Sequence, residues 1–426
     1  MAQEQALNII AFAIPVFLAS IILEAVIAKR QGKRDYYYFG TALSDVATGT
    51  VFQATEVFLK FVPLLIYVWV ANNWAVIDWG DNPWLIWIGG LLAVDFMYYW
   101  WHRTSHVVNV LWAVHGVHHQ SEDYNLAVAL RQPAFQPITW FFFYIPLAVL
   151  GVPVEVFLAA YAIDLLYQFF IHTELVNKLP RPLEWVLNTP SHHRVHHGVQ
   201  DQYLDKNYGG ILVIWDRLFG TFEPEGERVV YGTTVPLASY NPVWGNLQYF
   251  HHMGSLARQA TRVRDKLWVW FAHPAWLPKG VERDPNERKR MGSEKYRPQV
   301  TQELAWYLAG HYLLIGSLMV PYLLFESQFT WGQLAVGAAV IVLSNIAFLG
   351  LIEGKRWAQW LELGRGVALA AAVAYLGSVW LSGWVLGVIA LGVLVFMWGS
   401  WNVWRARARV VAAASPAAGT KGADAA

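Results

Sequence analysis

Long apolar runs separated by short polar stretches dominate this chain. Runs long enough, or nearly so, to cross roughly 30 Å of hydrocarbon occupy residues 8–28, 51–71, 83–101, 135–150, 153–172, 304–325, 331–351, 366–382 and 383–402. The pattern predicts an all-α integral membrane protein with about nine transmembrane helices. The fourth and fifth runs meet through Gly151 to Pro153 and the last two around Ser382 and Gly383, so each pair is a tight hairpin or a re-entrant segment. Met1 to Asn8 carries no Lys or Arg, so the first run reads as a retained span rather than a secretory signal.

Basic residues test this segmentation, because Lys and Arg accumulate on the cytoplasmic side of membrane proteins. With the amino terminus outside, residues 29–50, 102–134, 173–303, 352–365 and 403–426 become cytoplasmic and hold thirty of the thirty-one Lys and Arg. The exception, Lys60, sits inside the second run, where it must snorkel or line a cavity. Five regions follow: amino-terminal helices over 1–80, a catalytic region over 81–235, a cytoplasmic connector over 236–303, carboxyl-terminal helices over 304–403, and a disordered Ala/Gly/Ser-rich tail over 404–426. Arg288 to Arg290 in the connector reads as a solvated basic run or a contact with anionic lipid. The compartment follows as an inner membrane in a bacterium or the endoplasmic reticulum in a eukaryote.

Composition agrees: 56% of residues are hydrophobic and 14% charged, with 24 Trp and 20 Tyr suited to the headgroup layer. A net charge of +1 gives no basic surface for a nucleic-acid partner. Cysteine is absent, so any metal must be held by nitrogen or oxygen.

Eight of the fourteen histidines fall into three short patterns: His102-x3-His106, His115-x2-His118-His119 and His193-x2-His196-His197. On a helix, residues three and four apart share a face, so each pattern projects two or three imidazoles toward one point. Neutral imidazole suits iron, zinc, copper or nickel, and eight of them exceed what one tetrahedral zinc can use, so two metal ions are the economical reading. The first pattern follows Tyr98-Tyr99-Trp100-Trp101, an interfacial aromatic belt, which puts the metals just below the headgroups on the cytoplasmic side. His172 ends the fifth run at the same level and is a ninth candidate ligand, the alternative being a hydrogen-bonded interface histidine. His251, His252, His273 and His311 lack such spacing and read as solvated or packed.

Four further residues are candidates for supporting the ligands. Asp95 and Asp164 lie inside apolar runs, seven or eight residues before His102 and His172, and either orient imidazoles or relay protons, against a purely structural helix contact. Glu122 follows the second pattern with Asp123, and His192 precedes the third; a surface acid and a ligand, respectively, are the competing readings. Glu24, Asp45 and Glu56 are weaker cases. The stretch Asp216 to Phe222 reads as an interfacial helix ended by Gly220 and is assigned no chemistry.

A metal cluster with open coordination beside the acyl region points to oxygen activation on a long apolar substrate. No GxGxxG or flavin motif is present, so electrons come from a partner protein or a diffusible reductant. The histidine patterns, with HRTSH, HGVHHQSEDYNLAVALRQ, LLYQFFIHTE, NTPSHHRVHH, DKNYGG and WDRLFGTFE between Asp95 and about Gly232, resemble the fatty acid hydroxylase and sterol desaturase superfamily, and within it the branch that cleaves alkylglycerols. The resemblance implies a membrane di-iron enzyme using O2 and tetrahydrobiopterin, with the eight patterned histidines as iron ligands. One position departs: Val107 stands where animal members of that branch carry an acid. The rival readings are a fatty acid, sterol or carotenoid hydroxylase or desaturase fed by a protein electron donor, and a metal transporter. Transport sites belong near the bilayer midplane, whereas these histidines lie at one surface.

Overall fold

The computed structural model of the chain describes residues 2–80, 82–283, 295–380 and 399. Among them it is helical throughout, with two isolated bridges and no strand. The expected run 383–402, the tail and Arg288 to Arg290 lie outside the described residues. Two compact units emerge, one of Met1–Arg297 with Ser317–Asn345, the other of Pro298–Gly316 with Ile346–Ala426.

The helices of the first part of the chain are α1 (Ala2–Arg30), α2 (Phe39–Leu59), α3 (Phe61–Trp74), α4 (Pro83–Val107), α5 (Asn109–His119), α6 (Gln136–Val149), α7 (Val154–Ile171), α8 (Arg181–Val186), α9 (Pro190–His196), α10 (Ile214–Phe219), α11 (Pro242–Gln259) and α12 (Val263–Trp268). After them come α13 (Gln302–Leu324), α14 (Trp331–Ile352) and α15 (Arg356–Trp380). Four helices satisfy the length and hydropathy of a span: Phe12–Arg30 within α1, α7, α13 and α14. A fifth is gained if Arg34–Leu59 and Phe61–Trp74, bent by 49°, count as one. The expected straight helix over 51–71 is therefore broken at Lys60. Pro63 is the cause, since it has no N–H to donate to the Leu59 carbonyl and its ring crowds that turn. Of the remaining expected spans, α4 is rich in Trp and Tyr and carries Asp95, and α6 runs for only 14 residues. Lys60, the one basic residue within an expected span, pairs with Glu326 at 2.9 Å.

In the larger unit, α4 packs against α5, α6 and α7, α3 against α6, and α1 against α7. Their shared core contains Tyr67, Tyr98, Trp101, Trp140, Tyr144, Leu147 and Phe157, held by close van der Waals packing between the helices. The α6–α7 hairpin turns through Gly151 at φ +76°, where a Cβ would sit 2.2 Å from the Ile77 carbonyl oxygen. α4 starts cleanly because the Asn82 side chain accepts from the amides of Trp84 and Leu85. It ends at Val108, which is extended, and the chain turns into α5 while the amides of Asn109 and Val110 donate to the carbonyls of Ala272 and Trp270 at 2.9 Å. Within the connector, α11 packs on α5 through Ala113, Tyr249 and Met253.

The smaller unit buries Glu362, which accepts hydrogen bonds from Tyr307 and from Arg365 Nε at 2.9 Å. His311 packs there against Tyr307 and Phe348.

A buried ion pair ties α2 to the segment after α5. Arg131 Nη1 lies 3.2 Å from Asp45 Oδ1, and the guanidinium also donates to the Val117 carbonyl at 2.7 Å and to Gln120 Oε1 at 2.7 Å. Removing one member strands the other charge in the interior. Arg131→Met is expected to cost about 3–5 kcal/mol in denaturant unfolding of the detergent-solubilised protein, and Asp45→Leu combined with Arg131→Met is expected to cost clearly less. Equal losses in the two variants would show that the pair is not what holds these segments.

Candidate metal centre

Nine buried histidines converge from four places in the larger unit. α4 carries His102 and His106 one turn apart, α5 carries His115, His118 and His119, α7 ends at His172, and α9 carries His193 and His196 with His197 just past its end. They sort into two sets within which ligand-type atoms all lie within 4.8 Å of one another: His102, His106, His115, His119 and His196 in one, and His118, His172, His193 and His197 in the other. The sequence patterns therefore interleave. The first contributes to one set only, whereas α5 and α9 each split between both, because neighbouring positions on a helix point about 100° apart.

Hydrogen bonding fixes which nitrogen faces inward. Nδ1 of His102 donates to the Tyr208 carbonyl at 2.8 Å, that of His118 to Arg131 at 3.1 Å, that of His172 to Gln168 at 2.6 Å and that of His196 to Lys206 at 3.0 Å. Each of these bonds leaves an Nε2 lone pair for the interior. Nε2 of His102, His106, His196 and His197, and Nδ1 of His115 and His193, are buried with no hydrogen-bond partner. Three Nε2 pairs approach within hydrogen-bonding distance: His115 and His119 at 3.2 Å, His118 and His172 at 3.1 Å, and His172 and His193 at 3.0 Å. Each orphaned polar atom costs about 1–3 kcal/mol, so the cluster is unfavourable by itself and suited to a cation that takes the lone pairs. Burial pushes the α5 and α9 imidazoles well below the usual histidine range, with His118 at about 4 and His196 at about 3, which keeps them neutral and ligand-competent. In His119, His193 and His197 burial is reinforced by the neighbouring imidazoles.

The residues expected to support the ligands lie elsewhere. Asp95 accepts from the amides of Ile211 and Leu212 and from Trp215 Nε1, and makes no hydrogen bond to His102. Asp164 accepts from Gln168 Nε2 at 2.7 Å, and Gln168 in turn offers its carbonyl to His172, so Asp164 reaches that ring through one intermediary. Glu122 accepts from the Tyr296 amide, while Asp123 pairs with Lys295 and Arg297. His192 pairs with Glu184 at 3.1 Å and its Nδ1 caps the start of α9. Neither Glu122 nor His192 belongs to either set. His273 pairs with Asp205, His252 packs on Tyr249, His251 packs on Trp244, and all three stay outside. Glu24 accepts from Tyr37 and Thr173 and from the Leu126 amide at 2.8 Å, bracing the chain next to His172. Sequence spacing missed the acceptors that touch the rings, because they are backbone carbonyls and carry no residue signature.

The Fatty acid hydroxylase family profile matches residues 87–221, a window that encloses all nine imidazoles. The chain is 38% identical to alkylglycerol monooxygenase of Homo sapiens over 350 residues, covering 79% of this chain and 74% of that protein. With alkylglycerol monooxygenase of Xenopus tropicalis the identity is 39%, over 78% of this chain and 75% of the relative. The chain belongs to the alkylglycerol monooxygenase family. A shorter likeness, 34% over 31% of this chain and 40% of the relative, links it to the ornithine lipid hydroxylase OlsE of Rhizobium tropici. No solved structure matches. The kinship to the alkylglycerol monooxygenases covers 350 residues and so extends well past the histidine region.

Gly210 is the close-packed point behind the site: a Cβ there would stand 2.3 Å from Asp164 Oδ1 and 2.9 Å from Asp95 Oδ1. Gly210→Ala is expected to lower stability by roughly 1–3 kcal/mol, read as the thermal midpoint of the metal-free protein. An unchanged midpoint would show that the two carboxylates give way freely.

Proposed function

We propose that this chain is a membrane-bound di-iron monooxygenase that hydroxylates the ether-linked carbon of an alkylglycerol. One atom of O2 enters the C–H bond and the other leaves as water, with two electrons and two protons drawn from a reduced pterin. The hydroxylated ether carbon is a hemiacetal, which breaks its C–O bond to give a fatty aldehyde and glycerol. The observation that carries this reading is the pair of buried imidazole sets with inward lone pairs inside a chain of this family.

One set would hold each iron, His102, His106, His115, His119 and His196 the first and His118, His172, His193 and His197 the second; iron supplies the oxygen-activating chemistry. The chain's own work is to orient and to exclude water. Carbonyls of Tyr208, Arg131, Gln168 and Lys206 fix four rings from behind. Trp101 stacks beside His102 and meets His115 edge-on, and it belongs to the apolar core of α3, α4, α6 and α7. This packed aromatic core shields the imidazoles from water on the side of α4, and the sidedness of Lys and Arg supports a position at the cytoplasmic face.

Purified protein loaded anaerobically with Fe(II) is expected to hold two ions and to release aldehyde from an alkylglycerol in air, faster with tetrahydrobiopterin present. Two ions without aldehyde would remove the ether-cleaving assignment and leave the metal site. His118→Ala and His172→Ala are each expected to insert normally, lose the ion of the four-histidine set and lower turnover by at least 100-fold, and normal turnover in either would exclude that residue as a ligand. As the chain has no cysteine, a single Cys at exposed Asp201 reports sidedness: labelling from the cytoplasmic side only is expected, and labelling from the opposite side would reverse the topology.

A further inference from the structure

The segment 205–222 contributes no imidazole to either set, yet it frames one of them. Its Lys206 and Tyr208 carbonyls accept from Nδ1 of His196 and His102, both in the five-histidine set, and the Nε2 atoms of those rings are buried and unpartnered. The other set leans on carbonyls from different elements, Arg131 for His118 and Gln168 for His172. Among the backbone carbonyls that accept from ring nitrogens, those of 205–210 serve the five-histidine set only.

What holds the 205–210 loop is specific. Asp205 and Asn207 take left-handed φ values of +58° and +56°, which Asp and Asn tolerate better than most residues. The Asn207 amide donates to the carbonyls of His192 at 3.1 Å and Glu223 at 2.8 Å and accepts from the Glu223 amide at 2.9 Å. The buried Asp216 carboxylate takes the Tyr208 amide at 2.7 Å and the Thr221 hydroxyl at 2.7 Å on Oδ1, and the Gly209 amide at 2.8 Å on Oδ2. Asp216 Oδ2 therefore binds the N–H of the very peptide unit whose carbonyl orients His102, and Oδ1 binds the N–H of the unit before it.

We propose that Asp216 is a positioning residue for the five-histidine half of the centre alone, acting through the 205–210 loop on His102 and His196; the inference rests on the two-metal reading above. Asp216→Asn keeps the shape but turns one oxygen into an amide group that cannot accept from a backbone N–H, so Tyr208 or Gly209 loses its partner.

The test is equilibrium titration of metal-free protein with Co(II), counting bound ions without reference to turnover. The unmodified chain is expected to bind two. Asp216→Asn is expected to keep one tight ion and to bind the second about 10- to 100-fold more weakly. His172→Ala marks the other half, so each single variant keeps one tight ion while the double variant keeps none. Thr221→Val, which leaves the carboxylate in place, is expected to weaken the same ion by roughly five-fold, and it carries the test if Asp216→Asn does not fold. Two tight ions in Asp216→Asn, unchanged affinity in Thr221→Val, or one tight ion surviving in the double variant would each overturn the proposal. Fewer than two ions on the unmodified chain would overturn the two-metal reading and the proposal with it.

Discussion

Nine imidazoles buried together, most with a nitrogen aimed at no hydrogen-bond partner, are the constraint around which the larger unit is organised. Isolated from any cation, such a cluster would cost several kcal/mol in unmet hydrogen bonds. It is held open by the surrounding helices rather than by its own attractions. α4, α5, α7 and α9 each deliver their rings from a terminus, where the chain leaves the apolar core and can turn. The junction between α4 and α5 has backbone groups to satisfy, and Asn109 and Val110 satisfy theirs on the carbonyls of Ala272 and Trp270, just past α12.

The supports behind the rings are carbonyls instead of carboxylates, and this has an electrostatic consequence. No Asp or Glu belongs to either set among the described residues. A cation bound there would be held by neutral donors and would keep its full charge against the surroundings, which favours a strongly electron-withdrawing centre. The acids that lie near are committed elsewhere: Asp45 to Arg131, Asp95 to Trp215 and the amides after Gly210, Asp164 to Gln168, and Asp216 to the 205–210 loop. They act as joints between segments, and what they transmit to the clustered imidazoles is geometry.

Placement at the membrane surface is consistent with the core. The aromatic belt of α4 passes directly into His102, and Trp101 is shared between the apolar bundle and the imidazoles. Lipid chemistry at this position needs a dry approach on one side and a hydrogen-bonded frame on the other. The buried aromatic core of α3, α4, α6 and α7 is the apolar side, and the loops from 187 to 223 supply the hydrogen-bonded frame.

Helical class, membrane residence and the eight patterned histidines were all legible in the linear chain, because hydropathy over a span and i, i+3, i+4 spacing are local properties. His172 could also be found there, by its depth at the end of an apolar run. Three things were beyond local pattern. The break at Lys60 depends on how a proline's missing donor is absorbed by neighbours, and the division of α5 and α9 between two sets depends on the rotation of each helix against the others. The third is the frame: Asp95 and Asp164 share a helical face with His102 and His172, yet their partners come from residues 211–215 and Gln168. Residue type and spacing say which side chains can bind a metal. Only the folded chain decides which carbonyl stands behind each ring, since every residue carries the same carbonyl and only long-range packing tells them apart.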